Sequence, residues 1–227
     1  MQISNIISGN RRNFLHKLTL LGASAVCFLT VKAQSGRFYA NTYSQAVFAQ
    51  IDGDQASGYN KLGYSIGATT GIRLQDKKIS ALEFHIGIAE RGSRRPPNID
   101  DPGINPFHIR YQAFEAGLGV VIPMNSLPLP QLLQVYAGVR PYLLFNVVDT
   151  EAFMPSIDQD MRPFGVLLEA GARYPIHAKW LISLSAFYGA TSISKGSSNA
   201  SIYYPMGNGA YHNNFAIGFI YKPNNRK

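Results

Sequence analysis

Residues 62–74 read LGYSIGATTGIRL. One alternate set is Leu62, Tyr64, Ile66, Ala68, Thr70, Ile72 and Leu74; the other is Gly63, Ser65, Gly67, Thr69, Gly71 and Arg73. Side chains alternate across a strand, so this stretch has one bulky apolar face and one nearly bare face. A soluble sheet shows long polar side chains to water, and here the face left for water is mostly hydrogen atoms. The bulky face therefore needs an apolar surrounding, and the bare face needs a crowded one.

The same pattern recurs along the chain. Eight strands are read at about 36–48, 62–74, 79–91, 107–122, 133–148, 163–174, 179–191 and 210–222. Bulky sets such as Leu82, Phe84, Ile86, Ile88 oppose Ala81, Glu83, His85, Gly87 and Ala89. On the fifth strand Val135, Ala137, Val139, Leu143, Phe145 and Val147 oppose Gln134, Tyr136, Gly138, Arg140, Tyr142 and Asn146. Val121, Leu144, Leu167, Phe187 and Ile220 break the rule by falling on the polar side, and the first strand is ambiguous in phase.

Length and connections decide the solvent. Strands of soluble proteins usually have about 5–6 residues, and a transmembrane strand needs about 9–11. The segments here are longer still. Links 49–61, 92–106, 149–162 and 192–209 are long and polar, alternating with the shorter 75–78, 123–132 and 175–178. Long outer links alternating with short periplasmic turns, and an even strand count that closes every edge, predict an all-β, eight-stranded antiparallel up-and-down transmembrane β-barrel. A lipocalin-like soluble barrel requires an apolar interior and a polar exterior, the reverse of this facing.

The N-terminus fits the same destination. Arg11, Arg12 and Lys17 precede the apolar run LTLLGASAVCFLTV (18–31), and Val31-Lys32-Ala33 ends on a small residue. Residues 1–33 read as a secretory signal cleaved near Ala33, with the barrel over 34–227 and the cell outer membrane as destination. Paired arginines also mark an export route for folded proteins, but a barrel must cross unfolded, so the general secretory route is preferred. Of the 227 residues, 21 are Lys or Arg and 13 Asp or Glu. Removing the signal leaves 17 basic residues against 13 acidic and removes the only cysteine, excluding disulfide and thiolate chemistry. Scattered charge in an exported chain also argues against nucleic acid as a partner.

An eight-stranded barrel is filled by its own side chains, so no open pore is expected. The inward register gathers Arg73, Glu83, Glu115, Arg140, Glu169 and Arg173, a mutually neutralising luminal set read as architectural, with an ion or proton relay as the alternative. No catalytic residues, cofactor or metal site are assigned. The four histidines of the mature chain, His85, His108, His177 and His212, lack metal-type spacing. A rim enzyme acting on lipid A, a hydrolase or acyltransferase, would need a histidine with a serine and an acid; His108 and His212 fall near the outer rim, without a local His-x-Ser arrangement. Trp180, Tyr174 and Tyr221 fall at periplasmic strand ends as an interface girdle, while Tyr64 and Tyr188 fall elsewhere on the bulky face.

Four segments resemble PorT-like outer-membrane β-barrel proteins: LEFHIGIAERGSRR (82–95), read as a strand ending in a Gly-basic turn, RYQAFEAGLGVVIPMN (110–125), VYAGVRPYLLF (135–145) and FGVLLEAGARY (164–174). NNFAIGFIY (213–221) resembles the terminal signal read by barrel-assembly machinery, although KPNNRK follows it. The resemblance implies outer-membrane lipid and the assembly machinery as partners. It also implies secretion or envelope proteins engaged through the outer loops, a type 9 secretion accessory among the possible roles.

Overall fold

The structure, a computed structural model, describes residues 37–52, 59–74, 79–95, 107–123, 133–149, 161–193 and 210–223. Residues 1–33, read above as a signal, and most of the long links lie outside the described residues. Eight strands form: β1 Phe38–Asp52, β2 Lys61–Arg73, β3 Ala81–Arg95, β4 Phe107–Pro123, β5 Gln134–Asp149, β6 Phe164–His177, β7 Trp180–Gly189 and β8 Tyr211–Tyr221. Each pairs antiparallel with its sequence neighbours, and β8 pairs with β1 to close the barrel in the order β1 to β8. Closure satisfies the backbone groups that an edge strand would leave open.

The facing follows from what fits inside. Large apolar side chains cover the outside: Leu118 is 69% exposed, and Leu62, Ile66, Phe84, Leu184 and Ile217 are also exposed. Glu83, Glu115, Arg140, Glu169 and Arg173 are buried within. In β1, left open by the sequence, Asn41, Tyr43, Gln45, Val47, Ala49 and Ile51 are the buried set.

Inward glycines are seats for rings. Tyr43 stands directly across from Gly67, Tyr39 from Gly71, and Tyr136 from Gly171. A Cβ on Gly67 would lie 2.6 Å from the Tyr43 hydroxyl oxygen, and one on Gly171 2.5 Å from the Tyr136 ring. Each tyrosine thus lies over its neighbour strand in space that any other residue would fill. The bare face of LGYSIGATTGIRL is bare because Tyr39 and Tyr43 occupy it.

Three features correct the sequence reading. On β5 the register with β4 slips at Gln112/Ala113, so Phe145 is an extra residue. Beyond this bulge the phase flips. Asn146, expected inside, pairs with outward Gln112, and Val147, expected outside, pairs with Tyr111 and packs inward on the buried cluster that includes Tyr111. The second correction concerns the Gly-basic turn: the chain does not turn there, and β3 stays paired to Arg95 opposite Phe107. Gly92 has φ 152°, where a Cβ would strike the Ile109 carbonyl, so only glycine carries the strand through. In the third, the link read at 175–178 is mostly strand, since β6 runs to His177 and only Ala178 and Lys179 separate it from β7.

The rule-breaking apolar residues close the lumen. Leu167, Phe187 and Leu144 pack with Val47, Ala113 and Tyr142. Ile220 packs with Tyr43 and Leu181, and Val121 with Ala81 and Tyr136. Ile51, Tyr111, Met161 and Ile193 form a further cluster towards the long-link end. The interior is therefore layered, with apolar clusters above and below a charged middle.

On the outside, Tyr64, Glu90, Gln112 and Asn146 are successive cross-strand partners on β2 to β5. Gln112 Nε2 donates to the Tyr64 hydroxyl at 3.3 Å and to Glu90 Oε2 at 3.4 Å, and Asn146 Nδ2 donates to Gln112 Oε1 at 3.2 Å. Tyr64 and Tyr188 lie at this long-link end, Tyr188 stacked on Tyr211 at 6.3 Å, so they form a second belt. The first belt, at the other end, includes Trp180 against Tyr221 at 4.9 Å.

Candidate functional site

The charged middle is built by β3, β4, β5 and β6. Glycines flank each carboxylate across the sheet: Glu83 lies between Gly71 and Gly119, Glu115 opposite Gly87, and Glu169 opposite Gly138. A Cβ at Gly71 would strike the Tyr39 ring, and one at Gly87 the Tyr43 hydroxyl.

Arg140 is the hub. Its Nε donates to Glu169 Oε2 and its Nη2 to Glu169 Oε1, both at 2.7 Å, a bidentate fork. Its Nη1 donates to Glu115 Oε2 at 3.4 Å and to the Tyr43 hydroxyl at 3.5 Å. The guanidinium lies 5.1 Å from the Phe187 ring centroid, at the base of the apolar layer. Pro141 follows on the strand; the β4–β5 register passes from Leu118 opposite Val139 to Glu115 opposite Tyr142, so pairing is interrupted beside the hub.

A second centre surrounds Glu83. Its Oε1 accepts from the Tyr39 hydroxyl at 2.6 Å and from Arg173 Nη1 at 2.8 Å, and its Oε2 faces His85 Nε2 at 3.3 Å. His85 Nδ1 lies 3.1 Å from Thr69 Oγ1 and 3.5 Å from Arg140 Nη2, joining the two centres. Arg173 lies over the Tyr136 ring at 4.0 Å.

Five of the six residues singled out by the sequence therefore meet in one buried network. The sixth does not: Arg73 is exposed at the barrel end, 5.6 Å over the Tyr39 ring, rather than inside the ion-pair chain. The reason is height, because Arg73 is the last residue of β2, two positions beyond Gly71 at the open end of the barrel. Its place is taken by Arg91, which sequence reasoning missed. Arg91 is 1% exposed, pairs with Glu115, and lies 4.9 Å from Phe187. The signal was present, since the odd phase of the strand read over 79–91 reaches Arg91, but the inward set was followed only as far as Ala89. Three buried arginines, 91, 140 and 173, thus face three buried glutamates, 83, 115 and 169.

His212, read near the outer rim, is the second residue of β8 at the long-link end. It is buried there at 1% exposure, with Nδ1 bonded to the Tyr111 hydroxyl and Nε2 3.0 Å from the Tyr142 hydroxyl. Both ring nitrogens are engaged by tyrosines, which is the arrangement of a packed polar residue, not of a base presented to a substrate. His108 lies partly exposed at the start of β4. Among the described residues no group of three or more His, Cys, Asp or Glu side chains could hold a metal ion.

No protein-family model and no curated protein matches the chain. Among solved structures, the chain is similar to Neisserial surface protein A, with 12% identity and a TM-score of 0.46, covering 82% of this chain and 96% of that one. Ail, the attachment invasion locus protein of Yersinia pestis, in complex with the heparin analogue sucrose octasulfate, shares 10% identity at a TM-score of 0.40, covering 83% and 99%. The translocator domain of the autotransporter NalP from Neisseria meningitidis shares 12% identity at 0.30, covering 95% and 97%.

Proposed function

We propose that the protein is a small outer-membrane β-barrel without an open pore, whose wall and plug are architectural and whose long links serve protein interaction. One observation carries this reading: the amphipathic order is inverted, with large apolar side chains outside and paired charges inside. In water such an exterior would be an aggregation surface, and in lipid it is the favourable face. Its dimensions agree. On β4 the outer apolar run lasts from Phe114 to Ile122, about the 9–11 residues a tilted strand needs to cross hydrocarbon. The Tyr64–Glu90–Gln112–Asn146 row and the Trp180–Tyr221 pair then fall at the two headgroup levels, where amphipathic side chains are favoured.

The test is electrophoretic. A membrane-extracted sample should shift in apparent size between unheated and boiled lanes, and full recovery of the native chain in the soluble periplasm overturns the reading.

A narrower version, an accessory barrel of a type 9 secretion system, is supported by the PorT-like segments across β3 to β6. Crosslinking in cells followed by purification through a tag on the 224–227 tail addresses it: a stoichiometric envelope partner supports it, and recovery of the barrel alone removes it.

A further inference from the structure

Below the charged middle, the lumen widens into a chamber of about 190 Å³ at the end where β1 begins and β8 finishes. Arg73, Arg173 and Lys222 line it, with Glu83 as the one carboxylate among the described lining residues. Glu83 Oε1 is taken by Tyr39 and Arg173, and its Oε2 faces His85 Nε2 at 3.3 Å. It offsets one cation of three, leaving a surplus of two positive charges on a small concave wall. Like charges are held together at a cost unless something compensates them.

Two further observations concern the cations themselves. Arg173 Nε is buried and has no hydrogen-bond partner among the described residues, although buried donors are almost always satisfied. The Lys222 ammonium, just past the end of β8, is held below its ordinary pKa by burial first and then by the fields of Arg73 and Arg173. Exposed Arg73 and half-buried Lys222 keep the mouth in contact with solvent, so an ion can enter. The chamber has room for about six waters at ~30 Å³ each, enough for a phosphate group with part of its hydration.

We propose that this chamber binds a small dianionic oxyanion, a free phosphate or a phosphomonoester, with Arg73 and Lys222 as charge partners at the mouth and Arg173 as the cation of the inner wall. A dianion matches the surplus charge, and guanidinium groups match the spacing of phosphate oxygens. The layer above closes the chamber, because Arg140 is locked to Glu169 and capped by Phe187. The site is therefore a blind recess and not the entrance to a channel.

The test uses the full chain folded in detergent micelles, titrated with inorganic phosphate at low salt by calorimetry. Saturable binding is expected. The double substitution Arg73→Gln with Lys222→Gln should weaken it by about tenfold or more, since two charge-assisted contacts are lost. Lys179→Gln, an exposed cation on the turn at the same end, should leave it unchanged. Arg73→Lys with Lys222→Arg keeps both charges and should retain most of the binding, which separates charge loss from misfolding. Competition by glycerol phosphate assigns the site to phosphomonoesters, and its failure assigns it to the free ion. Absence of saturable phosphate binding overturns the proposal, as does binding that the double Gln variant leaves intact or that Lys179→Gln removes equally.

Discussion

The middle of the lumen and the layer above it solve the same problem, filling a narrow barrel, with opposite chemistry. In the middle, Arg140 and Arg91 join Glu115 and Glu169 while Phe187 covers them. Above, Leu167, Val47, Ala113 and Tyr142 pack as an ordinary core, with His212 and its tyrosines and the buried Asn214 as polar members. The charged layer depends on every member being present, because removing one charge strands another. The apolar layer loses only what is cut away. Their difference lies less in total strength than in how each fails.

The largest effect is expected in the middle. Arg140→Ala leaves Glu169 buried without its fork and should cost about 3–5 kcal/mol in urea unfolding of the micelle-folded protein. Replacing the pair together, as Arg140→Met with Glu169→Leu, should recover most of that loss, because well-packed apolar groups substitute for a buried ion pair at little net cost. A double variant as unstable as Arg140→Ala would show that the hub does more than neutralise Glu169.

In the apolar layer Leu167→Ala should cost about 2–5 kcal/mol, set by the cavity left beside Phe187 and Tyr142. No second substitution at a charged position should restore it. Rescue by Glu169→Leu would mean that the two layers are one unit.

The outer wall supplies a control at a similar height. Leu118→Arg places a charge where the chain is 69% exposed, and in lipid it should cost about 2–4 kcal/mol. The neighbouring Gly117 is inward, and a Cβ there meets the Val139 carbonyl at 2.7 Å and the Arg140 side chain at 2.8 Å. Leu118→Phe should therefore be tolerated while Gly117→Phe blocks folding, read as loss of the heat-modifiable band. Equal tolerance of both would refute the facing.

These contrasts also explain what the sequence could tell. Alternation on β3, β4, β6 and the part of β5 before its bulge placed five network residues on the inner face, because side-chain period alone fixes the face of an unbroken stretch of strand. Asn146 and Val147 were misplaced because a bulge inserts one residue without any composition signal, and phase cannot survive it. Arg73 was misplaced for another reason: alternation gives the face but not the height, and only the Tyr39–Gly71 register shows where the lumen ends. The apolar exceptions Leu167, Phe187 and Ile220 looked like noise in a polar face. They are the closures of the lumen, a role visible only once opposite walls are brought together.

The smallest expected effect is the most discriminating for the upper layer. A neutral imidazole has one nitrogen that donates and one that accepts, so His212 needs one tyrosine to accept and the other to donate. Tyr142→Phe keeps the ring in its seat opposite Gly165 and removes only the hydroxyl at 3.0 Å from Nε2. A buried nitrogen left without a partner should cost about 1–3 kcal/mol. Adding His212→Leu to the Phe variant removes the orphaned nitrogen and should return part of the loss, in the way a buried polar pair can be exchanged for apolar packing. If Tyr142→Phe instead costs as much as Arg140→Ala, the upper layer is also a polar network at heart, and the two halves of the lumen fail in the same way.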